Sequence, residues 1–168
     1  MDQMMNISEL QKRSHATAVA KGWHESDELG PDGKPTARQK LAWFALVTDE
    51  LDEAADESKS FYSEGKKPCG ELVEYADALI RLLDMATACG WTIIESTSGL
   101  PIRCYRTALV ARIRVNGDEQ SECASKLFCA ILDEMYNLNG SAEEPEYYIK
   151  LKMDYNDTRP HRHGGKLA

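Results

Sequence analysis

Two apolar stripes at helical spacing, separated by a short break, most strongly limit the folds open to this chain. The first stripe predicts a helix over residues 36–62, and the second predicts a helix over residues 71–89. The break at residues 65–70 contains two glycines and a proline, which interrupt helical patterns. Two helices joined this closely pack side by side in antiparallel orientation, so the sequence predicts an αα-hairpin.

The remaining segments favour further helices. Ser8-Glu9-Leu10-Gln11 matches the capping-box pattern and predicts a helix ending near Ala20. Residues 104–115 fit a helix or a strand, and helix is favoured, while residues 119–138 and 143–156 read as helical. No segment alternates apolar and polar residues convincingly. The sequence therefore predicts a single all-α domain over residues 1–168, a bundle of five or six helices.

A faint internal repeat links the hairpin to the later helices. A shift of fifty residues places Glu74 and Asp77 over Ala124 and Leu127. A second, degenerate hairpin would then carry apolar residues where the first carries carboxylates. If the repeat is real, only the first hairpin performs chemistry.

Charge is distributed unevenly along the chain. The net charge of −8 over 168 residues argues against binding to nucleic-acid polymers, which requires a basic surface. Six carboxylates occur in the nine residues from Asp49 to Glu57. Residues 150–168 have the opposite balance, with five bases against two acids. One acidic cluster and one basic tail are therefore the pattern that a function must explain.

The expected cellular compartment depends on whether the sequence contains a membrane span, a signal peptide or a disulfide framework. No run of eighteen apolar residues occurs, so no membrane span is expected, and Met1–Leu10 has no signal-peptide core. The five cysteines are odd in number and form no CxxC motif, which favours reduced packing residues over disulfides. The sequence predicts a cytoplasmic protein.

The hairpin carries two pairs of acids with matching spacing. Glu50 and Glu53 are three residues apart, as are Glu74 and Asp77, so each pair shares a helix face. Carboxylates that face each other between neighbouring helices repel unless a cation neutralises them. Oxygen ligands of this kind suit Mg²⁺ or Mn²⁺. The alternative is a solvated acidic face.

The tail supplies the opposite chemistry. Residues 152–166 read KMDYNDTRPHRHGGK and interleave bases, amides and glycines, a composition suited to anion binding. A frayed basic terminus is the alternative. Carboxylates that hold a divalent cation, together with bases that hold phosphate, are typical of phosphoryl chemistry.

These segments resemble a known family. VTDELDEA at residues 47–54, followed by ELVEYADALIR at residues 71–81, resembles the all-α nucleoside triphosphate pyrophosphohydrolases of the MazG-like superfamily, with ExxE on one helix and ExxD on the next. The tail is similar to the C-terminal motif of a phage and bacterial MazG-like subgroup, and Lys21-Gly22-Trp23-His24 also fits that subgroup. The resemblance covers residues 8–95 and 148–167, whereas residues 100–145 match only in being helical.

The resemblance implies Mg²⁺-dependent hydrolysis of a (deoxy)nucleoside triphosphate to the monophosphate and pyrophosphate, with Mn²⁺ as an alternative ion. It implies water attack on the α-phosphorus, with Glu50 or Glu53 as the catalytic base. It implies metal ligation by Glu50, Glu53, Glu74 and Asp77. Substrate contacts would come from Trp23, which could stack on the base, and from Lys152, Tyr155, Asn156, Arg159 and Lys166. The family also implies a homo-oligomer, a dimer or tetramer.

Two other functions remain open at this point. Small acidic helical chains also serve as non-catalytic interaction or regulatory proteins. A phosphoribosyl-ATP pyrophosphohydrolase would use the same chemistry, although the long segment at residues 100–145 makes that less suitable. His161-x-His163 is more typical of a solvent-exposed terminus than of a metal site.

Overall fold

Six helices and one small β-hairpin make up this computed structural model, which describes residues 5–138 and 143–161. The elements in chain order are α1 (Ile7–Ala20), α2 (Ala37–Asp56), β1 (Tyr62–Glu64), β2 (Lys67–Cys69), α3 (Glu71–Ala88), α4 (Ile102–Arg114), α5 (Gln120–Leu138) and α6 (Pro145–Asp157). The predicted all-α bundle is confirmed, including the helical choice for residues 104–115. The sequence also predicts that the helix over residues 119–138 is ended by Asn139-Gly140, two residues that lie outside the described ones.

Helix α3 forms the centre of the bundle. It packs against α1, α2, α5 and α6, while α4 packs on α2 and α5. One apolar core includes residues of all six helices, and its fully buried side chains include Phe44, Leu79 and Phe128. Burial of this apolar surface is the dominant favourable term for such a fold. Polar side chains on α3 therefore lie close to four different helices.

The predicted antiparallel pairing of α2 and α3 is confirmed by two pairs of contacts. Glu50 of α2 bonds to Arg81 of α3. Trp43 lies nearer the start of α2 than Glu50, and Asp84 lies further along α3 than Arg81. Trp43 and Asp84 both contact the ring of His24. Earlier residues of α2 therefore lie beside later residues of α3, as in antiparallel helices.

The connection between these helices differs from the prediction. The expected helix over residues 36–62 is wrong at its end, because α2 stops at Asp56 and Glu57 is extended. Strands β1 and β2 then pair antiparallel around a two-residue turn at Gly65-Lys66, with Gly65 at a φ of 59°. Glycine tolerates this left-handed conformation, which explains why a hairpin forms there.

Gly70 fixes the start of α3. A Cβ atom at this position would lie 2.6 Å from the Ser60 carbonyl oxygen, and its φ of 110° is one that other residues rarely adopt. The close approach lets the Glu71 and Leu72 backbone amides donate to the carbonyls of Lys59 and Ser60. The first donors of α3 are therefore satisfied by backbone without a side-chain cap.

Two capping-box patterns in the sequence, Ser8-Glu9-Leu10-Gln11 and Thr36-Ala37-Arg38-Gln39, predict helix starts that the structure tests. Thr36 caps α2, since its side chain accepts from the Gln39 amide. The prediction at Ser8 is wrong, because α1 begins at Ile7 and the Asn6 side chain caps it through the Glu9 amide. Asn is as good an N-cap as Ser, and it stands two positions earlier.

Two further predictions concern buried groups and membranes. All five cysteines are free thiols, and Cys69, Cys123 and Cys129 are buried among packing residues. Within residues 5–138 and 143–161, no helix has the length and apolar character needed to cross a membrane.

Candidate functional site

A polar stripe on α3 organises the site. Glu74, Asp77, Arg81 and Asp84 occur at intervals of three or four residues, so they lie along one face of the helix. All four are partly buried, because α1, α2 and α6 pack around this face. The stripe carries two clusters, one around Glu74 and Asp77 and the other around Asp84.

The first cluster, the acid cluster, consists of Glu50, Glu74 and Asp77. One carboxylate oxygen from each lies within 4.8 Å of the others, so the three groups can hold a metal ion together. Two come from α3 and one from α2, whereas the sequence predicts two ligands from each helix. Oxygen ligands at this spacing fit a hard divalent cation such as Mg²⁺ or Mn²⁺.

The Glu50 carboxyl of the acid cluster has a strongly raised pKa. Burial and the nearby Asp77 carboxylate raise its pKa to about 8, although Arg81 opposes the shift. The Arg81 Nε atom donates to Glu50 Oε1 at 2.6 Å. Burial also raises the pKa of Glu74, to which Glu50 is hydrogen-bonded. The crowding of negative charge therefore opposes the fully ionised, metal-free state of the cluster.

Asp77 is held in the charged state by cations. Burial acts to raise its pKa, but Lys152 and Arg81 outweigh it, and hydrogen bonds from Lys152 and Asn156 lower the pKa further. The Lys152 Nζ atom lies 3.4 Å from Asp77 Oδ2. Lys152 is only 5% exposed. The Lys152 ammonium group of α6 is therefore a buried partner of the acid cluster.

Glu53 is placed differently from the other predicted ligands. It is exposed, whereas Glu50 is buried, and it does not lie within the group of three converging oxygens. Its charge nevertheless contributes to the raised pKa of both Glu50 and Glu74. Glu53 thus lies at the rim of the acid cluster.

A pocket opens beside Asp77 and Arg81. Its walls come from α1, α2, α3, α6 and the turn after α1, and they include the indole rings of Trp23 and Trp43. The helical spacing of Trp43 and Phe44 in the sequence predicts core residues, and Trp43 is both buried and part of this wall. Aromatic walls with a few polar groups are typical of small-molecule sites.

Two buried acceptors give this pocket unused hydrogen-bonding capacity. Ser14 Oγ and Asn156 Oδ1 have no hydrogen-bond partner among residues 5–138 and 143–161, and both residues line the pocket. Buried polar atoms are usually paired, so each such atom requires an explanation. A polar ligand in the pocket would provide one.

The predicted tail residues are only partly brought together. Lys152 and Asn156 contact Asp77. Tyr155 lies beneath two cations, with the Lys152 ammonium 5.8 Å and the Arg159 guanidinium 6.0 Å from its ring centroid. Lys166 lies outside the described residues.

Lys21 joins the turn after α1 to the end of α6. Its ammonium donates to the backbone carbonyls of Asp157 and Arg159, and the residue also lines the pocket. Arg13 bonds to Asp154 and Asp157 on the same side. These contacts hold the beginning of the basic tail against α1.

The second cluster, the imidazole cluster, consists of His15, His24 and Asp84. Both rings contact Asp84 Oδ1 at 2.8 Å, one through His15 Nδ1 and the other through His24 Nε2. The other nitrogen of His24 lies 2.6 Å from Asp27 Oδ2. Burial acts to lower the pKa of His24, but Asp84 and Asp27 outweigh it and raise the pKa to about 9.

Sequence reasoning missed several of these residues. Arg81, Asp84 and His15 were not among the predicted site residues, and His24 was expected only beside a stacking tryptophan. A signal was present for two of them, because Arg81 and Asp84 continue the spacing of Glu74 and Asp77 along α3. The contact of His15 with Asp84 joins residues 69 positions apart and has no local signal.

Comparison of the chain with protein-family models, with curated proteins and with solved structures finds no match. Function is therefore inferred from the geometry of the site and from the resemblance carried by its sequence motifs.

Proposed function

We propose that the chain is a Mg²⁺-dependent nucleoside triphosphate pyrophosphohydrolase of the MazG-like type, which releases a monophosphate and pyrophosphate. The observation that carries the proposal is the convergence of Glu50, Glu74 and Asp77 within 4.8 Å, next to a pocket with aromatic walls. The acid cluster suits the metal of such an enzyme, and the pocket suits a nucleoside.

The charges of the acid cluster fit a divalent cation. Glu50, Glu74 and Asp77 face two fixed positive charges, Arg81 and Lys152, and the rim carboxylate of Glu53 adds to the negative side. When bound, Mg²⁺ would supply the Lewis acidity that stabilises the departing pyrophosphate. We propose Glu50, Glu74 and Asp77 as ligands, with Glu53 completing the set from the rim.

The remaining groups would bind and orient the substrate. We assign Glu53 to the attacking water, because Glu50 is already engaged by Arg81 and an exposed rim carboxylate is accessible to solvent. Lys152 and Arg159 would contact phosphates, with the Tyr155 ring between them. Attack on the α-phosphorus would break its bond to the bridging oxygen, and pyrophosphate would leave.

The pocket would hold the nucleoside. Trp23 and Trp43 offer stacking faces for a base, and stacking on aromatic side chains is tolerant of base identity. Asn156 would connect the two halves of the site, since it bonds Asp77 and also presents an unpaired oxygen in the pocket. A sugar hydroxyl could donate to that oxygen.

A substrate panel in ¹⁸O-labelled water tests the proposal. Purified chain with Mg²⁺ should convert at least one canonical or modified triphosphate to monophosphate and pyrophosphate, with the label in the monophosphate. E74Q should be inactive, while the exposed acid variant E122Q should retain activity. Failure on every triphosphate, release of inorganic phosphate alone, or label in pyrophosphate would overturn the proposal.

A further inference from the structure

We propose a second metal site in the imidazole cluster, in which His15, His24 and Asp84 bind a divalent transition metal of the Zn²⁺ class. The site is separate from the acid cluster and does not depend on the proposed hydrolase activity. Its ligands come from three segments, namely α1, the turn that follows it, and α3.

The ligand atoms have the spacing of a metal site. One atom from each residue lies within 4.8 Å of the others, and both ring nitrogens lie 2.8 Å from Asp84 Oδ1. Metal–ligand bonds near 2.0–2.1 Å, at tetrahedral or octahedral angles, place neighbouring ligand atoms roughly 3 Å apart. Small side-chain shifts would therefore admit an ion.

The donor types select the class of metal. Two imidazoles and one carboxylate suit zinc and related transition metals, whereas the acid cluster offers only oxygen. The two clusters on α3 should therefore prefer different ions. Mg²⁺ binds nitrogen poorly compared with oxygen and should not compete for the imidazole cluster.

Asp27 provides the supporting contact that metal-bound histidines usually have. It lies 2.6 Å from His24 Nδ1, which leaves Nε2 for the ion. A carboxylate on the far nitrogen fixes the tautomer and the ring orientation, and it makes the ligating nitrogen more basic. His24 is held further by the edge of the Trp43 ring, 5.4 Å away between centroids.

The site is also reachable from solvent. The side chains of His24, Asp84 and His15 are 11%, 19% and 29% exposed. His24 and Asp84 line the pocket described above, so a coordination position left open by the protein can face it. An ion there would join α1 to α3 across the turn that carries Trp23.

Zinc stoichiometry tests the proposal directly. Tag-free, chelator-stripped protein in the E74Q background, which weakens the acid cluster, is mixed with excess Zn²⁺ and should retain one zinc per chain after desalting. H15Q and H24Q should lose it, and D27N should bind roughly 10–100-fold more weakly, as expected for a supporting residue. H161Q is the matched control, because His161 also pairs with a carboxylate, Glu25, at 3.1 Å but lies outside the cluster.

Co²⁺ provides a second readout for the same variants. Visible d–d bands that appear in the E74Q background and in H161Q, and vanish in H15Q, would support nitrogen ligation, while far-UV circular dichroism confirms that each variant is folded. A folded protein that binds no zinc would overturn the proposal and leave a hydrogen-bonded network of His24 with Asp27 and Asp84. Zinc retained at full stoichiometry in both H15Q and H24Q would overturn it as well.

Discussion

The acid cluster and the imidazole cluster share one face of α3 but neutralise their carboxylates in different ways. Around Asp77 the counter-charges are the cationic side chains of Arg81 and Lys152, which act only as hydrogen-bond donors. Around Asp84 they are two imidazoles, each of which can carry a proton or a metal ion. The first cluster attracts a cation through its excess negative charge, whereas the second attracts one through its donor atoms.

The largest effect should come from removing the charge of Asp77. We expect Asp77→Asn to lower kcat/KM for the best triphosphate at least about 1,000-fold, equivalent to more than 4 kcal/mol, because it removes a proposed metal ligand and the partner of Lys152. D118N, at an exposed position, is the control. Activity within tenfold of wild type would place the chemistry outside the acid cluster.

A smaller effect, on stability, should follow from removing the buried ammonium of Lys152. In EDTA, Lys152→Met should lower the free energy of unfolding by about 3–5 kcal/mol, because the carboxylates lose a buried partner, and Mg²⁺ should restore part of the loss. Urea denaturation measures both. K150M is the matched control, because Lys150 pairs with Glu146 from an exposed position on α6, and its loss should lower the free energy of unfolding far less. Equal losses in the two variants would contradict the role of Lys152.

The imidazole cluster should make metal-free stability depend on alkaline pH. The pKa of His24 is raised to about 9 from 6.5, so its stabilising contribution is complete below pH 6.5 and is lost as the pH rises through about 9. The loss should reach up to about 3 kcal/mol and should be missing in H24Q. Denaturation in EDTA from pH 6 to pH 10 checks this. The same pH slope in both proteins would show that His24 does not hold its proton.

The smallest effect concerns Mg²⁺ affinity. The pKa of Glu50 is raised to about 8, so a proton must leave before this carboxylate can bind the ion. Affinity should therefore fall about tenfold, or 1.4 kcal/mol, per pH unit below 8 and level off above it. Calorimetric titrations with Mg²⁺ at pH 6 to 9 measure the trend. An affinity that does not change with pH, or an unchanged trend in E50Q, would exclude Glu50 as the coupled group.

The acid cluster could be predicted because its causes are local. Spacing of three residues on adjacent helices brings Glu50, Glu74 and Asp77 together once the hairpin forms. Glu53 lies outside the group of three converging oxygens because it is about 60° further round α2 from the buried stripe than Glu50. The stripe of Val47, Leu51 and Ala54 decides which acid points inward.

The imidazole cluster could not be predicted from the sequence. His15, His24 and Asp84 converge only because α1 and the turn after it pack on α3, and tertiary packing leaves no periodic signal. The β1–β2 hairpin was missed for a different reason, since strands of three residues are too short to show alternation. The degenerate second hairpin stays a prediction, and Ala124 and Leu127 are fully buried apolar residues in α5.

The close backbone approach at Gly70 affects how many residues can separate the Glu50/Glu53 pair from the Glu74/Asp77 pair along the chain. Between α2 and α3, backbone contacts join residues 59–61 to residues 70–72. The two ends of the β1–β2 hairpin therefore lie side by side. Residues inserted at the Gly65-Lys66 turn would lengthen the β1–β2 hairpin without moving either helix. A single residue inserted between Glu74 and Asp77 would instead rotate Asp77 about 100° around α3 relative to Glu74. The interval between the pairs along the chain can therefore vary, while their separation in space is fixed.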